Sequence, residues 1–309
     1  MTGLASRLRR GNTAKYVGNS ETAPPVRAGR NGLLDAVRLI AAGLVFLGHA
    51  RLATGMPGDG AMGFLGVFLF FVLSGYLIPT VWARTPDLRT YLTRRGARIV
   101  PGYLAAVVGL GILTGYPVTV RDLLMVQTFD LARFDTFMGV AWTLQLEVIF
   151  YALVPLLARV PTRWIVYLGA ASLALYALAP DYGIRGTFPF RFWMFVPGML
   201  MVGRSLPHVS VPRWVTFGAT ISYGIYLWHH EILRALRDME IAPPAVWAGG
   251  ALLTLTAATV SWYLVERPAL ASRRELVVQP VGVEVEEARR GSRGLHDAAR
   301  HEGREAARA

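Results

Sequence analysis

Eight apolar runs, each near the length needed to cross a bilayer, recur between residues 33 and 266 with short arginine-bearing links between them. They lie at about 33–52, 63–82, 99–116, 138–158, 164–180, 188–204, 213–233 and 245–266. Backbone polar groups in lipid must be satisfied within the protein, so runs of this length and spacing specify helices rather than open sheets. The sequence therefore predicts an all-α fold, a polytopic helical membrane protein of about eight transmembrane helices. Composition agrees: with 53% apolar and 17% charged residues, the chain cannot clothe an ordinary soluble surface.

The net charge of +12 would suggest nucleic acid in a soluble chain. Here the arginines fall in short loops and fit the positive-inside pattern, so no nucleic-acid partner is expected. Arg7, Arg9, Arg10, Arg27 and Arg30 precede the first run, and Arg84, Arg89, Arg94, Arg95 and Arg98 follow the second. Arg159, Arg163, Arg204 and Arg213 extend the series on the same side. An even span count then predicts both termini in the cytoplasm and a multi-pass protein of the cell (plasma) membrane. Residues 1–32 are polar and basic without a cleavable signal pattern, and are expected to form a flexible cytoplasmic arm. Residues 33–268 form the transmembrane domain, and residues 269–309 read as a charged cytoplasmic tail, disordered or helical on the membrane surface. The chain has no cysteine, which excludes disulfides, thiolate nucleophiles and zinc–sulfur sites.

Ionisable groups inside the apolar runs mark the candidate site, because each costs about 2.5–3.5 kcal/mol at a bilayer centre. Arg38 and His49 share the first run. Eleven residues are about three helical turns, so the two share a face roughly 16 Å apart along the axis. Arg38 lies near enough to the run's start to snorkel to the headgroups. His49 is followed ten residues later by Asp59, a carboxylate able to fix an imidazole tautomer. Arg94 and Arg98, four apart at the entry to the third run, serve either as positive-inside anchors or as a phosphate fork. Glu147 shares a helix face with Tyr151 and is either functional or a neutralising partner for an arginine. Tyr223, Tyr226 and Trp228 are explained by an interfacial aromatic belt. His229 and His230 point about 100° apart on a helix, and with no further carboxylate–histidine pattern no metal is expected. Ser74 has no base beside it in the sequence.

In order, these segments resemble the acyltransferase-3 family of integral membrane O-acyltransferases. Leu34-Asp35-Ala36-Val37-Arg38 through His49 is similar to the first-helix motif of that family, and Phe70-Phe71-Val72-Leu73-Ser74-Gly75-Tyr76-Leu77-Ile78 to its second-helix signature. Arg94 and Arg98 match its paired arginines, and Trp142, Glu147, Phe150 and Tyr151 its tryptophan–glutamate–tyrosine segment. Ser222-Tyr223 with Tyr226-Leu227-Trp228-His229 resembles a late-helix motif, and Glu266-Arg267-Pro268 the closing one. Three features depart from the pattern. The family commonly has about ten spans; Ala36 stands at a usual glycine, and His230-Glu231 replaces an ending in proline.

The resemblance implies transfer of an acyl group, often acetyl, from acyl-coenzyme A to a hydroxylated acceptor: a sugar, a glycolipid or a natural product. It makes His49 the catalytic residue with Asp59 behind it, and puts Arg94, Arg98 and Arg38 on the donor side. Tyr226 and His229 join Glu147 and Tyr151 as further intramembrane polar groups. The competing reading is a proton-coupled transporter or flippase in which Arg38, His49 and Glu147 form a relay.

Overall fold

The computed structural model describes residues 31–57, 60–85, 87–126, 137–180 and 182–271. Among these residues the regular structure is helical, with no strand. Four helices are long and apolar enough to cross a membrane: α1 (Gly32–Ala53), α2 (Ala61–Trp82), α3 (Leu88–Thr114), and a final helix, Pro243–Ala271. The fold class is thus as expected. The other runs differ. After the single turn α4 (Val120–Leu123), α5 (Ala141–Leu157) and α6 (Thr162–Leu178) are apolar but only 17 residues each.

The run at 188–204 is not one helix. It follows the short turn α7 (Tyr182–Arg185) and breaks into α8 (Phe188–Arg191), a 3₁₀ turn over Phe192–Met194, and α9 (Val196–Met201). Pro189 and Pro197 occupy the first turns of α8 and α9, where a missing N–H is harmless but the preceding helix cannot continue. The Ser172 hydroxyl on α6 accepts the Trp193 N–H at 3.1 Å, satisfying one donor freed by the break. The chain then runs through α10 (Arg213–Asp238) and α11 (Pro243–Ser261), whose end loosens into a π turn over Trp262–Glu266. The expected 1–32 arm, apart from Asn31 and Gly32, and the tail beyond Ala271 lie outside the described residues.

The helices begin where local chemistry allows. The Asn31 side chain accepts the Leu33 N–H at 2.9 Å to open α1. Asp87 opens α3 by accepting both the Thr90 N–H at 2.8 Å and the Thr90 hydroxyl at 2.7 Å. α1 packs on α2 and α10, α10 on α11, and α2 on α9 and α5. Two crossings are glycine contacts. A Cβ on Gly48 would lie 2.7 Å from the Gly63 nitrogen, and one on Gly198 would lie 1.9 Å from the Val72 oxygen. The first contact brings α1 against α2 one residue before His49.

The core fills the space between these crossings. Phe71, Phe150 and Phe195 join α2, α5 and the segment entering α9, with Phe150 and Phe195 stacked at 4.2 Å. Outward-facing side chains are apolar as well: Leu178 is 82% and Leu264 72% exposed. A surface of that kind is stable against acyl chains rather than water.

Candidate active site

Two groups of polar side chains inside the bundle, among others, both reach α10. The first surrounds His49, one turn from the end of α1. His49 Nδ1 lies 3.1 Å from the Val45 carbonyl oxygen and 3.0 Å from His229 Nε2 on α10. His229 is fully buried, with Nδ1 3.0 Å from the Ile225 carbonyl oxygen. The His230 ring stands edge-on to His49 at 5.0 Å, and its Nδ1 lies 2.7 Å from Oε1 of the buried Glu231. His49 and His230 both line a cavity of about 430 Å³ with Leu52, Ala53, Leu233, Arg234 and Arg237. The His49 imidazole therefore lies on the wall of this cavity.

The second group lies toward the other end of the bundle. Glu147 on α5 accepts two hydroxyls on Oε1, from Ser74 of α2 at 2.8 Å and from Tyr151 at 2.7 Å. The Arg95 guanidinium lies 5.9 Å from the Tyr151 ring centre, and that of Arg98 is 5.9 Å from the Tyr223 ring. Tyr223 donates to the Ile99 carbonyl at 2.8 Å, and Tyr91 donates to the Tyr151 carbonyl at 3.1 Å. Glu266, in the π turn, accepts the Ser261 hydroxyl and has Arg98 as its cationic neighbour.

Tyr226 stands between the groups. Its hydroxyl bonds Thr143 and donates to the Val140 carbonyl at 3.0 Å, while its ring lies 5.8 Å from that of His229. Tyr223, Tyr226 and His229 recur at intervals of three residues, so each is turned about 60° from the one before it on α10. From Tyr223 to His229 the helix advances only about 9 Å. Tyr223, against Arg98, and His229, against His49, are thus fewer than two turns apart on α10.

The residues expected from sequence fall out as follows. His49, Tyr226 and His229 meet as one group, and Glu147 bonds Tyr151 directly. Arg98 lies against the Tyr223 ring, and both Arg94 and Arg98 are partly exposed on the same helix. Arg38 sits far from His49, with Asp35 at 3.7 Å. Asp59 lies outside the described residues.

Sequence reasoning missed four residues. Arg95 was passed over in favour of Arg94, although a spacing of three to Arg98 shares a face as well as four does. Ser74 lacked a visible base because Glu147, 73 positions away, comes beside it only on folding. His230 and Glu231 stood only as a departure from a motif, yet His230 lines the cavity and Glu231 anchors it.

Residues 31–203 match the family described as "Acyltransferase domain", which fixes the class: a membrane transferase of acyl groups. The chain belongs to this acyltransferase-3 family of integral membrane O-acyltransferases. It is 25% identical over 358 aligned positions to nodulation protein 10 of Rhizobium leguminosarum bv. viciae, covering 83% of this chain and 98% of that protein. No solved structure matches.

Proposed function

We propose that the protein moves an acyl group, acetyl in the simplest case, from acyl-coenzyme A to a hydroxyl of a carbohydrate, glycolipid or glycosylated natural product, with His49 as general base. The observation that carries this reading is His49 on the wall of a cavity, with its Nδ1 already engaged by other groups. Neutral His49 takes the acceptor proton as the hydroxyl oxygen attacks the thioester carbonyl, a contribution of roughly 10²–10⁴-fold.

The donor side falls to the arginines. Guanidiniums of Arg94, Arg95 and Arg98 at one end of α3 suit the phosphates of coenzyme A, which they can grip through paired N–H donors. The rings of Tyr151 and Tyr223 beside Arg95 and Arg98 support an ordered dock. From there a flexible pantetheine arm has only this short stretch of α10 to cover before its thioester meets His49. Arg38 belongs to the same end, and both termini lie in the cytoplasm of a cell carrying this protein in its plasma membrane. The relay reading has less support, because Arg38 pairs with Asp35, Glu147 with Ser74 and Tyr151, and His49 with His229.

The test is purified protein in detergent with radiolabelled acetyl-coenzyme A and a panel of hydroxylated acceptors. Wild type is expected to give labelled ester, and His49→Ala to reduce its yield at least about 100-fold. Equal yields from both proteins would remove His49 as the base. No thioester consumption, together with solute movement in proteoliposomes, would replace acyl transfer by transport.

A further inference from the structure

We infer that His229 is the positioning residue for His49: a neutral imidazole holds the proton on His49 Nδ1 and leaves the lone pair on Nε2. The inference rests on the base role proposed for His49.

The argument follows the acceptors. His229 Nδ1 faces the Ile225 carbonyl oxygen at 3.0 Å, and a carbonyl can only accept, so this nitrogen carries hydrogen. The neutral ring then has its lone pair on Nε2. That lone pair lies 3.0 Å from His49 Nδ1, which also has the Val45 carbonyl oxygen at 3.1 Å. His49 Nδ1 thus sits between two acceptors and must be the protonated nitrogen. Nε2 of His49 is left to receive a proton.

The surroundings keep this arrangement in place. His229 has no exposed surface and is flanked by the Tyr226 ring. His230 meets His49 edge-on and directs its own Nδ1 at Glu231, whose other oxygen is 3.9 Å from Arg234. His230 Nδ1 is thus taken up by Glu231 rather than directed at His49. A carboxylate in the same buried position would carry a large desolvation cost, which a neutral ring avoids.

The chemical step balances with His229 unchanged. The acceptor O–H proton passes to His49 Nε2 as its oxygen bonds the acyl carbon, and the carbon–sulfur bond breaks. The same proton then goes from Nε2 to the departing sulfur, giving ester and free coenzyme A thiol. While His49 is cationic, its Nδ1–H bond to His229 Nε2 is charge-assisted and roughly twice as strong as a neutral one. His229 thus stabilises the transient imidazolium without taking its proton, the task that an orienting third residue performs in hydrolytic triads.

Two variants and one spectroscopic readout test this. His229→Met fills much of the same volume without an acceptor, whereas His229→Gln returns an amide oxygen near the former Nε2. The methionine variant is expected to lose about 10–100-fold in kcat, with KM for both substrates changed less than about threefold. The glutamine variant is expected to recover most of that loss. In full-length protein labelled with ¹⁵N-histidine in lipid nanodiscs, the signals lost in His49→Gln identify His49. They should show a protonated Nδ1 and a bare Nε2 in the wild type.

A wild-type His49 protonated on Nε2 would overturn the inference, whatever the activity. So would a glutamine variant no better than methionine, or a rise in KM at unchanged kcat. A wild type that transfers no acyl group but shows Nδ1-protonated His49 would sink the acyl-transfer reading and uphold the positioning. If the methionine variant does not fold, the wild-type spectrum and the glutamine variant still decide.

Discussion

Arg95 and Arg98 each have the ring of a bundle tyrosine as a neighbour, Tyr151 and Tyr223 respectively. Arg95→Ala and Arg98→Ala are each expected to raise the KM for acyl-coenzyme A about tenfold or more, since a hydrogen bond to a charged group contributes about 1.5–3 kcal/mol. The acceptor KM should stay nearly constant. Lysine at either position should restore only part of the loss, because a point charge does not reproduce a bidentate fork. Initial-rate kinetics with each substrate varied in turn checks this, and a change confined to the acceptor would end the donor assignment. His49 was readable at this scale because an imidazole in an apolar run stands out. Its partner was harder to find: His229 is 180 positions away, and its neighbour His230 carries the same side chain. Only the turn of α10 directs one of the two at His49 Nδ1.

At the scale of elements, the site depends on helices held closer than ordinary side chains permit. Gly75 and Gly198 form such a crossing between α2 and α9, where a Cβ on either would run into backbone oxygen. Gly198→Ala is expected to destabilise the protein by about 1–3 kcal/mol, the usual cost of overpacking. Thermal unfolding in detergent measures it, and an unchanged midpoint would show that the crossing gives way easily. The effect should appear as stability rather than as a changed KM, because neither arginine cluster nor His49 touches this contact. The run at 188–204 shows what apolarity alone conceals. Its proline-broken pieces have the composition of a span, but Pro189 and Pro197 deny it a continuous hydrogen-bond ladder. The prolines were visible in the sequence; that Ser172 would accept the freed Trp193 N–H was not.

At the scale of the molecule, the prediction concerns orientation. The chain contains no cysteine, so a single introduced thiol reports its own position without background. Glu240→Cys, between α10 and α11, is expected to react with a membrane-impermeant maleimide from outside intact cells. Ser205→Cys, between α9 and α10, should react only after permeabilisation. The reverse pattern would place the arginine cluster outside and remove cytoplasmic acyl-coenzyme A as its ligand. With the expected orientation, the arginine cluster proposed as the donor dock lies at the inner face while the His49 cavity lies toward the outer one.

Helical class and membrane location were determined by the sequence itself, because lipid leaves a run of some twenty apolar residues little choice but a helix. The family was legible for a related reason: its motifs sit on consecutive helices and keep their order along the chain. Tertiary structure alone decided which polar groups meet. Hydrogen bonds between Ser74 and Glu147, and between His49 and His229, join helices far apart in sequence, and the rotation of each helix about its axis selects which neighbour they meet. Periodicity names the face a residue occupies; packing decides what stands opposite it.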